Sequence, residues 1–478
     1  MLFAVCRLPF TMPRMRALWS GLLLALILGM AFGPSVFAPA EPADDELVLI
    51  SPHWDGIREE FERAFKAHWL KESGGRVVRL VWLDLGGGGV IRRHIQERAR
   101  KAAWEQGEGI GADVFFGGGT IDHEGFIKEG VLAAYMPPPG IVAEIPPQVN
   151  GQALRHPQGY WHAACLSGFG FVYNRLVLER ARLPAPVSWT DLGAPAYFGW
   201  ISCGDPTQSG SLLMAFEIVL QAYGWREGWG VLVRLTANAR AFNEGGGSIP
   251  RDVSLGQAAA GPCIDFYAAA PVRRQGATHL EFVFPQGHSV ITPDAIAIFR
   301  NAPNPKAAAA FVDFVLSESG QRIWFQKRGT PGGPVDFDLE RLSVWPSLYT
   351  RGLPTYTVAR PFEQGTALAY NEKLGRRRWN ILKDLLRATV IDLHEDLMRT
   401  WEVVIRAGRE GDLGQALGLP LLEEEELLKL GDQKLPMAEL NRLRNRWTGI
   451  ARERYRAIRK AAERGGNAPE FAPAKAAP

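Results

Sequence analysis

The sequence lacks the short signatures of the common hydrolases: no Gly-x-Ser-x-Gly elbow and no His-Glu-x-x-His pair occur in its 478 residues. Its glycine loops lack the lysine of a phosphate-binding ATPase loop, because neither Gly86–Gly89, Gly117–Thr120 nor Gly245–Ser248 leads into Gly-Lys-Ser/Thr. ATP hydrolysis on this chain is therefore unsupported. Cysteine is scarce at four residues, and the spacings do not give the paired C-x2–4-C ligands of a zinc site. Strong charge of either sign is also missing, with 54 Lys and Arg against 51 Asp and Glu. The 52 glycines and 33 prolines follow no period, which excludes collagen-like and solenoid repeats. What remains is a chain 46% hydrophobic and 22% charged, neither disordered throughout nor a multi-span membrane protein. Its length predicts two to four units at ~100–200 residues each.

The slight basic excess resides at the N-terminus. Arg7, Arg14 and Arg16 precede an apolar run from Ala17 to Phe32, and Ala38-Pro39-Ala40 gives a small-residue exit. This pattern reads as a secretory signal over 1–40, cleaved after Ala40, with retention as an N-terminal anchor the alternative. Cys6 lies upstream of the apolar run, so no lipobox cysteine follows it. The segment holds three basic side chains and no acidic ones, so the remainder balances at zero and carries no nucleic-acid footprint. The expected location is periplasmic or extracellular. Cys165, Cys203 and Cys263 remain, an odd number that permits one disulfide, or three buried and inert thiols.

From Leu47 to about residue 335, strand-like apolar runs alternate with helical ones. Leu47–Ile50, Val77–Leu83 and Ala112–Phe116 read as strands, with helices between them. Such alternation indicates parallel βαβ units, whose ligands gather at the carboxyl ends of strands. Phe169–Tyr173, Trp200–Cys203, Arg240–Phe242, Pro262–Ala268 and Ala295–Phe299 read as further strands, and Pro305–Leu316 as a helix. After about residue 340 the strands disappear. Trp379, Leu382, Leu386, Leu397 and Trp401 mark long amphipathic helices, and 465–478 reads as a disordered tail.

The strand exits carry the candidate binding residues. Ser51 and His53 follow the first strand, and Gly118, Gly119 and Thr120 follow the third. Asp205, Ser209, Gly210 and Ser211 open a helix after Trp200–Cys203, where hydroxyls and first-turn N–H groups can cradle an anion or simply cap the helix. Asn243, Gly247 and Ser248 form another polar glycine loop. Asp265 and Tyr267 are two residues apart in a strand-like run, which puts them on one face. Cys165 and His162 are three apart and face opposite ways on a strand, so no thiol dyad is expected. An exported hydrolase using His53, Asp205 and Ser209 is the alternative reading. No cofactor is implied, and no metal set is assigned.

The stretches Ile50–Ile57, Ala112–Gly119, Gly204–Ser211, Gly256–Gly261 with Ile264–Tyr267, and Pro305–Gln321 together resemble the extracellular solute-binding proteins of bacterial ABC importers. The resemblance is to the group of two-lobed, type II periplasmic binding proteins that includes ferric-iron binders. The resemblance covers residues 45–335. It implies an α/β fold of two Rossmann-like lobes joined by crossing strands, one of 45–160 plus 272–335 and one of 165–270, with an all-helical extension over 340–464. It further implies a non-enzymatic monomer that closes on a small solute, flytrap-fashion, and docks on a membrane permease. Ferric binders carry two adjacent tyrosines after the returning strand. Here Ala268 follows Tyr267, so a small anionic or oxygen-rich solute is favoured over ferric iron.

Overall fold

The computed structural model describes residues 42–474 apart from 87, 244, 277, 358, 364–367 and 434. The expected signal segment and residues 475–478 lie outside that set. Asp45–Pro478 forms one compact unit. Among the described residues, no helix is long and apolar enough to cross a membrane.

Strands β1 (Asp45–Ile50), β2 (Val78–Leu83) and β3 (Val114–Gly119) alternate with the helices Asp55–Glu72 and Gly88–Lys101. β1 pairs parallel with both β2 and β3, as the alternation predicts. The helix Asp55–Glu72 buries Ile57, Phe61, Phe65 and Trp69, a stripe spaced by four residues that faces the sheet. β4 (Leu132–Ala133) is short, and β5 (Gln148–Val149) pairs with β6 (Gln152–Ala153) as a separate hairpin.

The connection between the two halves of the structure is β7 (His162–Asn174), buried at all 13 positions. Its first half pairs with β12 (Ile291–Phe299), and its second half with β10 (Ala260–Ile264) and β11 (Leu280–Val283), all antiparallel. β8 (Ile201–Gly204) lies parallel to β10 and to β9 (Ala239–Asn243). The sheet order β2-β1-β3-β12-β7-β10-β8-β9 thus holds two half-sheets that share β7. Gly170 permits the close approach of β11, since a Cβ there would lie 2.0 Å from the Val283 carbonyl oxygen.

Two local readings need correction. Pro262–Ala268 is not one strand: β10 stops at Ile264 and a helix, Asp265–Gln275, begins. The Asp265 carboxylate accepts the Phe266 N–H at 2.7 Å, so Asp265 and Tyr267 share a helical first turn rather than a strand face. Residues 465–474, expected to be disordered, pack against the helices instead. Arg454 lies over the Phe471 ring, and the Ala474 N–H donates to Leu421 O at 2.7 Å.

The C-terminal region divides its attachments. Near residue 336 it lies on the first half, where the Glu60 carboxylate accepts the N–H groups of Val335, Asp336 and Phe337. The later helices, including Glu372–Leu386, His394–Arg406 and Met437–Arg464, extend the core of the second half. Trp401 donates to Asn238 and Trp225 to Leu422 O, each at 2.8 Å. Arg378 meets the buried Glu217 at 2.9 Å. The apolar stripe of Leu382, Leu386, Leu397 and Trp401 is buried there.

Candidate functional site

A cleft of about 400 Å³ opens between the strand exits. One rim is Pro52, His53 and Trp54 with Gly118–Asp122, and the other is Gln208–Ser211 with Gly245–Gly247. Ser167, Phe169, Phe266, Tyr267, Thr292–Asp294 and Arg341 also line it. Tyr370, Glu372 and Trp379 reach it from the C-terminal region. Each rim follows from a strand ending at a glycine or polar turn, as the alternating pattern requires.

Of the candidate residues, His53, Gly118, Gly119, Thr120, Ser209, Gly210, Ser211, Gly247 and Tyr267 line this cleft. The others have structural partners beside it. Ser51 is buried and its hydroxyl accepts the His53 N–H at 3.1 Å. Asp205 accepts the Thr207 N–H at 2.7 Å. Asn243 donates to Asp252 at 2.8 Å, and Ser248 to Gly245 O at 2.8 Å. Asp265 accepts the Gly168 N–H at 2.8 Å. None of these five is among the lining residues.

Beneath the first rim lies a chain of ionisable groups. His53 Nε2 lies 3.3 Å from Asp294, and Arg341 lies 3.1 Å from the same carboxylate oxygen. Arg341 also donates to the Ser167 hydroxyl and sits 3.4 Å over the Phe266 ring. Burial alone would raise the Asp294 pKa. The His53 hydrogen bond, the Arg341 charge and the Gly118 N–H outweigh it and hold the carboxyl well below the usual range. Burial lowers the pKa of His53 against the pull of Asp294. An ionised carboxylate only accepts, so Nε2 is the nitrogen that donates to it. Among the described residues, Nδ1 of His53 and Nε of Arg341 are buried without a partner.

On the opposite rim, the helix Gly210–Tyr223 opens into the cleft. The Ser209 hydroxyl accepts the Leu212 N–H at 3.4 Å and lies 3.1 Å from the Ser211 hydroxyl. The Ser209 hydroxyl thus caps the helix, and Gly210 and Ser211 line the cleft beside it. Gly246 sits against both serines, since a Cβ there would lie 3.1 Å from the Ser211 oxygen. His53, Asp205 and Ser209 are not joined by hydrogen bonds, as each is engaged elsewhere. Among the described residues, no three His, Cys, Asp or Glu side chains gather as a metal-holding group. The three cysteines are free and buried, so the possible disulfide does not form.

Sequence reasoning missed Arg341, Asp294 and the C-terminal lining residues. Asp294 lies within a strand-like run, and Arg341 lies past the segment of recognised motifs. Neither carries a local signal.

Residues 110–344 match the family model described as bacterial extracellular solute-binding protein. Over 161 residues the chain is 31% identical to the phosphoglycerate transport regulatory protein PgtC of Salmonella typhimurium. That match covers 34% of this chain and 40% of the relative, so the chain spans well under half of the relative's length. Among solved structures, the fold is similar to the periplasmic binding protein AfuA from Actinobacillus pleuropneumoniae, with fructose-6-phosphate bound. The TM-score is 0.54 at 19% identity, covering 75% of this chain and 98% of that one. It is also similar to iron-bound HitA from Pseudomonas aeruginosa, with a TM-score of 0.50 at 18% identity, covering 67% and 91%. These likenesses establish the type II periplasmic binding protein fold.

Proposed function

We propose that this chain, whose residues 110–344 match the model of the bacterial extracellular solute-binding proteins, captures a small anionic, oxygen-rich solute in the cleft and hands it to an ABC permease without chemistry. The observation that carries the reading is the pairing of two features across one cleft. A 14-residue helix opens on Ser209-Gly210-Ser211, and Arg341 lines the same space with a guanidinium nitrogen unpartnered among the described residues. Hydroxyls, glycine N–H groups and a helix N-terminus are the donors that dehydrated oxyanions require. Arg341 supplies positive charge, partly balanced by Asp294, so that charge is fixed in place before a ligand arrives.

The phosphoglycerate named for the Salmonella relative has this chemistry, which makes phosphorylated hydroxy acids the first class to test. Ferric iron is the weaker candidate, because Tyr267 is followed by Ala268 and no acidic or histidine cluster accompanies it among the described residues. The test is a set of thermal melts with phosphoglycerate, inorganic phosphate, citrate, ferric iron and neutral sugars. A ligand at 100 times its Kd stabilises by about 2.7 kcal/mol. A shift confined to the anions supports the reading. A shift only with iron or a neutral sugar overturns it.

A further inference from the structure

Three of the residues lining the cleft lie C-terminal to the matched residues 110–344: Tyr370, Glu372 and Trp379. They stand on or just before the helix Glu372–Leu386, which is fastened to both sides of the cleft. On the first half, Thr120 donates to Glu372 at 3.1 Å and Arg376 pairs with Glu124 at 3.3 Å. On the second half, Arg378 pairs with Glu217, and the Asn371 N–H donates to Gln221 at 2.7 Å. The helix therefore forms a third wall that spans the opening.

We infer that this wall is part of the ligand site and selects for a hydroxylated carbon skeleton attached to the anionic group. The inference rests on the anion reading above. A carboxylate accepts hydrogen bonds and cannot donate them, so Glu372 repels a bare anion and binds hydroxyl donors. Asp122 lines the same stretch of rim, two residues from Thr120. Tyr370 and Trp379 add ring surface, on which the C–H faces of a polyol or sugar can pack. Inorganic phosphate offers neither feature. A phosphoester of a polyhydroxylated compound offers both.

The test compares binding of inorganic phosphate and of a hexose phosphate to wild type, Glu372→Ala and Trp379→Phe by titration calorimetry. Thermal melts confirm that each variant is folded. Wild type should prefer the hexose phosphate by tenfold or more. Glu372→Ala should weaken the hexose phosphate at least tenfold without weakening inorganic phosphate, and Trp379→Phe should weaken the hexose phosphate less. Equal loss on both probes would mean that the helix only holds the cleft in shape, and would overturn the inference while leaving the anion reading intact. No loss on either probe would also overturn it. Failure of wild type to bind either probe would overturn the anion reading, and this inference with it.

Discussion

Arg341 lies 3.1 Å from Asp294, a carboxylate 47 positions earlier that His53 also contacts at 3.3 Å. The ion pair is enclosed, with Arg341 at 2% side-chain exposure. Removing one member of a buried pair leaves the other uncompensated, at a cost of about 3–5 kcal/mol. Arg341→Met should therefore lower the unfolding free energy by that amount in urea titrations. Arg341→Lys should lose less, because charge survives while the two-pronged contact to Asp294 and Ser167 is lost. A loss under 1 kcal/mol for the methionine variant would contradict this account of the pair.

Gly117 is fixed by His53. Its φ is +106°, and a Cβ would lie 2.7 Å from the imidazole ring. The ring has little room to move, with Phe116 and Trp324 at 4.7 and 5.6 Å between centroids. Gly117→Ala combines backbone strain of order 1–3 kcal/mol with that overlap. Its melting temperature should fall by several degrees, whereas Gly140→Ala, with open space around its Cβ position, should be near neutral.

Asp265 gives the stability a pH signature. Burial pushes its carboxyl up to about 6, against the Gly168 N–H, Arg341 and the Phe266 N–H. The native state then holds this proton more tightly than the unfolded chain, so stability from this group falls as pH rises from ~4 to ~6 and is level above. Asp294 has the opposite sign: its depressed pKa stabilises above the unfolded value and is lost only as pH falls below ~4. Wild type minus Asp265→Asn isolates the first effect, since both chains share the same histidines. Denaturant titrations at pH 4 and 7.5 should show wild type losing on the order of 2 kcal/mol relative to the variant. A pH-independent difference would rule the effect out.

Cys165, Cys203 and Cys263 should be silent toward thiol reagents in the native protein. All three are buried and free, and burial pushes their thiols above the ordinary range, Cys203 to about 12. Mass mapping after alkylation should find them unmodified when folded and modified in denaturant without any reductant. Alkylation that requires a reductant would reveal a disulfide.

The sheet and its order of helices are readable wherever one face dominates. The helical spacing of Ile57, Phe61, Ala64, Phe65 and His68 predicts the first helix, and the glycine-ended strands predict the rims. The errors occur where local pattern and tertiary context part. The apolar run at 262–268 has strand composition, yet a helix starts within it at Asp265, whose carboxylate accepts the Phe266 N–H. Arg341 was invisible for the converse reason: an isolated arginine shows its role only through Asp294, Ser167 and Phe266, which the fold brings to it.

The central claim is that the cleft binds an oxyanion through the serine rim. Titration calorimetry of phosphoglycerate into wild type, Ser211→Ala and Ser209→Ala tests it most directly. The account predicts saturable one-to-one binding to wild type, weakened at least tenfold in both variants, with Ser209→Ala also losing about 1 kcal/mol of stability as a helix cap. Binding that both variants retain in full, or wild-type binding confined to neutral sugars or ferric iron, would contradict it.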